Sequence, residues 1–165
     1  MSDAKDIFLN DTWAFYFHDP NNDNWEIDSY ILLARISTIY EWITLFNSMR
    51  DLWHKGMFFL MREHIQPIWE DEHNKSGGCL SYKLWKNEVL ESVFELGSLL
   101  LGESLSEHWE SVCGISISPK RSYCIARIWI SDVAYSNETL YRVTLPPQTK
   151  FLFKTHHENK DYTNP

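Results

Sequence analysis

Apolar positions along this chain recur with two different periods, and the switches between them delimit the elements. Thr12 to Phe17, TWAFYF, has the aromatic-rich character of a strand, and the polar DPNNDN behind it is turn chemistry. Ser29 to Ser37, SYILLARIS, is also strand-like, although its apolar run is too continuous to assign one face. A helix follows with a clear start. Thr38 and Glu41 stand at capping-box spacing, and Ile39, Trp42, Ile43, Phe46 and Met49 recur at the helical period. Met57 to Arg62 predicts another strand, Pro67 marks a loop, and Gly77-Gly78 turns the chain into the strand CLSYKLW. Asn87 to Ser104 carries the longest helical pattern, with Gly102 as its C-terminal stop. Gly114 to Ser131 holds two alternating runs around Pro-Lys-Arg-Ser and predicts a β-hairpin. In its second run Ile125, Arg127 and Trp129 must share a face. A short helix within Ser136 to Val143 and a last strand within Lys150 to His156 complete the order.

That order predicts an α+β fold: an antiparallel sheet with amphipathic helices packed on one face and the other face left for a ligand. The 165 residues suit one domain over residues 1–157, followed by a polar C-terminal tail over 158–165. A hydrophobic fraction of 44% against 23% charged residues is that of a folded chain and excludes wholesale disorder. No apolar run reaches the roughly 18 residues of a membrane span, and the start MSDAKDIF lacks an apolar signal core. The expectation is a cytoplasmic protein with no membrane partner. Cys79, Cys113 and Cys124 are odd in number and irregularly spaced, which predicts small buried hydrophobes. In that compartment the Asn-x-Ser/Thr matches at Asn10, Asn74 and Asn137 carry no glycosylation meaning.

Fifteen basic residues against 23 acidic ones, a net charge of -8, exclude binding along DNA but leave room for a local basic site. Catalytic signatures are missing: no Gly-flanked nucleophile elbow, no phosphate loop, no dinucleotide fingerprint. Glu63, His64, Glu70, Glu72 and His73 are metal-binding types, yet two His nine positions apart across a Pro match no ligand spacing. The chain is therefore expected to be no enzyme and to hold neither metal nor cofactor.

The aromatic content is the unusual property, with eight Trp, and it meets acidity in PIWEDEHN, Pro67 to Asn74. Trp69 offers a planar stacking surface and Glu70 an acceptor at its edge. Guanine presents two adjacent donors on its Watson-Crick edge that one carboxylate can accept together, and adenine has no such pair. Methylated at nitrogen 7, guanine is a cation, so Trp faces on either side gain cation-π attraction as well as stacking. A Trp followed by acids also fits a half-buried aromatic at a loop edge, and the motif alone does not choose.

From about Leu9 to His157 the chain resembles the cap-binding translation initiation factor 4E family. The resemblance rests on PIWEDEHNKSGG (Pro67 to Gly78), on TWAFYF followed by Trp25, and on LLLGES with VCG close behind. IARIW ending at Trp129 and LPP (Leu145 to Pro147) complete it. It implies a curved antiparallel sheet with about three α-helices on the convex back and the cap of messenger RNA in the concave slot. Trp25 and Trp69 then resemble the two slabs of a sandwich around the methylated guanine. Glu70 resembles the carboxylate that reads guanine, and Trp129 the residue that touches the added methyl. The phosphate side departs from the family pattern. Lys120 matches one basic position, whereas Ser122 and Ile125 stand where two others belong and Cys79 replaces a fourth. Arg127, on the strand face of Trp129, is the candidate substitute, and Arg121 a second one.

The resemblance also implies a protein partner, since family members take up a short helix from a scaffold or repressor protein against a Trp of the first helix. Ile43 stands at that position and Trp42 one residue earlier, a step that turns the side chain by about 100°, toward the sheet. The His-Pro usual before the first strand is replaced by Ile7-Phe8. Ile39, Ile43, Phe94 and Glu95 are left to form an apolar groove with one acidic edge on an otherwise monomeric protein. Two roles follow from a cap-binding reading: recruitment of ribosomes through a scaffold, or occupation of the cap as a repressor or messenger-storage factor with its own partner set. A nucleotide-processing or metal-dependent enzyme is the reading of another class.

Overall fold

Alternation along the strands gives each one an apolar side that must be covered and an opposite side that need not be, and the architecture follows from that division. The computed structural model describes residues 3–158. The tail expected over 158–165 therefore lies, apart from its first residue, outside the described residues. Seven strands form one sheet: β1 (Phe8–His18), β2 (Ile31–Thr38), β3 (Met57–Arg62), β4 (Gly78–Trp85), β5 (Val112–Pro119), β6 (Tyr123–Ile130) and β7 (Leu152–Thr155). Their spatial order is β2-β1-β3-β5-β6-β4-β7, with every neighbouring pair antiparallel. Two α-helices, α1 (Ile39–Ser48) and α2 (Val89–Leu101), pack on one face. The third helix expected, within Ser136 to Val143, is a single 3-10 turn at Glu138–Leu140, capped by Asn137.

The covered face holds the main core: Trp13 and Phe15 of β1, Phe58 and Leu60 of β3, Ile115 and Ile117 of β5, and Cys124, Ala126 and Ile128 of β6. Trp42 and Phe46 from α1 and Val93, Leu96 and Leu100 from α2 close over them. On the open face a smaller cluster forms from Phe59, Met61, Ile65, Cys79, Cys113 and Trp129. The two sets alternate residue by residue along β3 and β6, as strand geometry requires. β2 is an edge strand, so Ile31, Leu32 and Leu33 remain exposed, and its continuous apolar run reflects neither face being fully covered. The three cysteines are free and buried, and burial pushes the Cys113 thiol up to about 12, which leaves it unreactive at neutral pH.

Local chemistry sets both helix boundaries. At the start of α1, Glu41 N–H donates to Thr38 Oγ1 at 3.2 Å, and the Glu41 carboxylate accepts from Ser37 and Thr38 N–H at 2.7 and 3.0 Å. This is the capping box expected. At the end of α2, Ser104 N–H reaches Leu99 O and Glu103 N–H reaches Leu100 O, a Schellman closure. The left-handed residue in it is Glu103 (φ 53°) and not Gly102 (φ -81°), which corrects the simple picture of Gly102 as the stop. The strain at Glu103 is offset by what its carboxylate does. It accepts from Arg62 Nη1 at 3.0 Å and from Asn10 Nδ2 at 2.9 Å. Arg62, itself buried, also bonds Asp11, Val112 O and Trp109 O and lies 4.6 Å from the Trp13 ring centroid, tying β1, β3, β5 and the end of α2 together.

Trp42 points toward the sheet, as the one-residue offset predicts: it is 4% exposed and donates Nε1–H to Ser98 Oγ of α2 at 3.0 Å. Gly97 makes the space, since a Cβ there would run into the Trp42 six-membered ring.

Candidate functional site

The open face near one end of the sheet gathers most of the residues that the sequence singles out. Trp25 lies in the loop between β1 and β2, where Asx bonds stiffen the polar run. Asp19, Asn22 and Asn24 side chains each accept from the backbone N–H two residues on, at 2.9 Å. The indole of Trp25 is 46% exposed and stacks on His18, with centroids 4.2 Å apart and planes at 6°. His18 is fully buried at the end of β1 and is held by a 2.7 Å contact between Nε2 and Asn24 O. One face of Trp25 is thus taken by His18, which fixes the plane of the ring.

Trp69 and Glu70 sit in the loop between β3 and β4, built by two polar side chains. Asp71 accepts from Gln66 N–H at 3.0 Å and from His73 N–H at 2.8 Å, and Asn74, fully buried, donates to Gln66 O and Ile68 O. Burial alone would raise the Asp71 carboxyl, but the Gln66 and His73 hydrogen bonds outweigh it and hold the group below the usual carboxylate value. The loop rejoins the sheet at Gly77, where any Cβ would sit on the Ile130 carbonyl oxygen. In this way Asp71 stiffens the loop while Glu70 stays exposed beside the half-buried Trp69. His73 meets Asp71 at 3.1 Å and His64 at 4.9 Å between centroids, and Glu63 is engaged by Arg35 at 2.9 Å. These groups have structural uses, and among the described residues no group of three or more His, Cys, Asp or Glu is placed to hold a metal ion.

A chain of ring contacts joins the two Trp-bearing loops. From Trp25 it runs through His18 to Tyr30 (4.8 Å), to Phe59 (5.2 Å), to Trp129 (6.0 Å), to His156 (5.0 Å) and to Trp69 (6.2 Å). Glu70 belongs to the same locale. Burial first and then the Glu70 charge raise the Tyr30 hydroxyl above its ordinary value. Trp129 lies near the middle of this chain, 3% exposed, with Nε1–H donated to Ser116 Oγ at 3.0 Å. Trp25, Trp69, Glu70 and Trp129 thus belong to one connected aromatic cluster on the open face. His18, Tyr30 and His156 belong to it as well and were missed in the sequence. Alternation along β1 does place His18 on this face, but nothing local in the sequence distinguishes Tyr30 or His156.

Of the basic candidates, Arg127 alone stands beside the aromatic cluster, two residues from Trp129 on the same face of β6. It donates to Ser118 Oγ at 3.1 Å, and burial lowers the pKa of its guanidinium. Among the described residues no carboxylate lies within ion-pair distance of it. A largely desolvated cation without an acid partner is suited to an anionic ligand. Lys120 and Arg121 are exposed in the β5–β6 turn, closed by Lys120 N–H to Tyr123 O at 2.7 Å, and are not brought beside Arg127. On the helix side, Ile43 is 39% and Phe94 42% exposed and Ile39 is half-buried, while the Glu95 carboxylate accepts Thr144 N–H at 2.7 Å.

The chain is similar to known proteins in sequence and in fold. A translation initiation factor 4E from Xenopus laevis is 24% identical over 163 residues, covering 90% of this chain and 76% of its own length. The same factor from Eremothecium gossypii is 29% identical over 146 residues, covering 81% and 68%. Among solved structures, the complex of C. elegans eIF4E-3 with the 4E-binding protein Mextli and cap analog superposes with a TM-score of 0.82 at 18% identity, covering 94% of this chain and 95% of that one. Ascaris suum eIF4E-3 with m2,2,7G cap gives 0.76 at 20%, covering 91% of each. The family profile described as Eukaryotic initiation factor 4E matches residues 8–164, and the chain belongs to that family.

Proposed function

We propose that the protein binds the 7-methylguanosine cap of messenger RNA and acts in translation initiation in the cytoplasm, as a binding protein and not a catalyst. The observation that carries the reading is the aromatic cluster, with an exposed Trp25 and a half-buried Trp69 held on two stiffened loops and an exposed carboxylate beside the second. Trp25 and Trp69 sandwich the methylated guanine, Glu70 accepts from its two edge donors, and the Trp129 edge meets the methyl group. Stacking contributes about 1 to 3 kcal/mol per base and a charged acceptor about 1.5 to 3 kcal/mol. The ring cation adds attraction to both indoles. Arg127 takes a phosphate oxygen, with Lys120 and Arg121 acting at longer range from the turn.

Titration with 7-methylguanosine triphosphate should quench Trp fluorescence far more than GTP does, and equal responses would refute the reading. In the same assay Glu70→Gln should weaken cap binding by about 1 to 3 kcal/mol, since it loses a charge and one acceptor. An unchanged affinity would remove Glu70 from the site.

One observation favours a second role, a repressor or storage factor with its own partners. On the helix side Trp42 is committed to the core through Ser98, leaving the aliphatic Ile43 of α1 and Phe94 of α2 exposed. A groove of that shape takes an apolar helix face without an indole of its own to contribute. Affinity for a peptide carrying the family's scaffold helix separates the two roles.

A further inference from the structure

Away from the aromatic cluster, the open face carries an ordered series of side chains on two neighbouring strands. The register of β4 against β6 pairs Cys79 with Trp129, Ser81 with Arg127, Lys83 with Ile125, and Trp85 with Tyr123. All point away from the helices, because the intervening Leu80, Tyr82 and Leu84 of β4 and Cys124, Ala126 and Ile128 of β6 fill the main core. From Trp129 outward the face therefore reads aromatic, cation, cation, aromatic pair. At about 3.3 Å per strand residue, six residues from Trp129 to Tyr123 make a track of roughly 20 Å. β7 pairs only with Gly78 to Ser81, so the far half of β4 is uncovered on that flank.

The outer end is built rather than incidental. Trp85 is 48% exposed and meets Tyr123 edge-on at 6.3 Å and 81°. The Lys83 ammonium lies 4.4 Å from the Tyr123 centroid and 5.9 Å from that of Trp85. Glu88 accepts the Trp85 N–H at 3.0 Å and so fixes the backbone that presents the indole. A large exposed aromatic with a cation beside it recurs in single-strand nucleic-acid grooves, where bases stack and phosphates meet the charge.

We propose that Trp85, Tyr123 and Lys83 form a second nucleotide subsite, which takes the first nucleotides of the RNA chain following the cap. The proposal rests on the cap reading, since it is the cap in the Trp25–Trp69 slot that aligns the chain with the track. The triphosphate bridge passes Arg127, a following phosphate meets Lys83, and a base stacks on the exposed Trp85 face. The subsite is tolerant of sequence, because every base has a π-face that can stack on the exposed indole.

The test compares three probes by equilibrium titration: 7-methylguanosine triphosphate, a short capped single-stranded oligoribonucleotide, and the same oligonucleotide uncapped. The capped oligonucleotide should bind at least about 5-fold tighter than the triphosphate, as expected for one stacked base. Trp85→Ala should abolish that gain while leaving triphosphate binding within about 2-fold, and Trp85→Phe should restore part of it. Lys83→Gln should reduce the gain and flatten its salt dependence. A capped oligonucleotide that binds no tighter than the triphosphate, or whose advantage survives Trp85→Ala, overturns the subsite and leaves the cap reading intact. Failure of the triphosphate itself to bind overturns the cap reading, and the subsite with it.

Discussion

Replacing Arg127 by Met is expected to have different effects on folding and on binding. The guanidinium is largely withdrawn from water, its one hydrogen bond goes to Ser118, and burial lowers its pKa, so the folded state holds this charge at a cost. Met keeps most of the volume and removes the charge. The Ser118 bond, worth about 1 kcal/mol, is lost, whereas exchanging buried charge for packed apolar atoms is neutral to stabilising by about 1 to 4 kcal/mol. Arg127→Met should therefore change the unfolding free energy by between about -1 and +3 kcal/mol. Its affinity for 7-methylguanosine triphosphate should fall by about 1.5 to 3 kcal/mol, roughly 10- to 150-fold, because a charge-assisted bond to phosphate disappears. Arg127→Lys should fall between, retaining the charge without the planar fork. Urea unfolding followed by Trp fluorescence gives the first quantity and equilibrium titration the second. A variant destabilised by more than about 2 kcal/mol with unchanged affinity would make Arg127 a structural residue of the sheet and refute its assignment to phosphate.

Two further outcomes test the scaffold. The Asp71 carboxyl is depressed in the folded loop, so its stabilisation is complete above the unfolded value near about 3.9 and is lost as pH falls through the lower folded value. The stability difference between wild type and Asp71→Asn, measured by urea unfolding, should be about 1 to 2 kcal/mol at pH 7 and shrink steadily below pH of about 4; a constant difference would contradict it. Gly97→Ala should destabilise by about 1 to 3 kcal/mol through overpacking against the Trp42 ring, despite the better helix propensity of alanine, and a rise in denaturation midpoint would show that α2 yields freely.

Much of the fold was legible in the sequence because it is written in short-range periodicity. Alternation marked the strands and the face shared by Arg127 and Trp129. The Thr38–Glu41 spacing marked the start of α1, and the position of Trp42 one residue before the family's Trp foretold its burial. The family resemblance singled out Trp25, Trp69 and Glu70 as candidates, and their types and spacing are local properties of two loops. Other features depend on distant partners. Glu103 adopts a left-handed backbone that glycine would ordinarily supply, because Arg62 and Asn10 reach its carboxylate from strands remote in sequence. His18 and His156 join the aromatic cluster only when β1 and β7 are brought to their places in the sheet. Tyr30, the residue before β2, is a tyrosine like any other until Phe59 and Glu70 come beside it. The sequence by itself determined which side chains are aromatic, which are charged and which face each strand residue takes. Only the tertiary structure decided which strands lie side by side, and so that Trp85 and Lys83 continue the line of Trp129 and Arg127. The order of strands in a sheet is set by packing between residues far apart in the chain, and no local period records it.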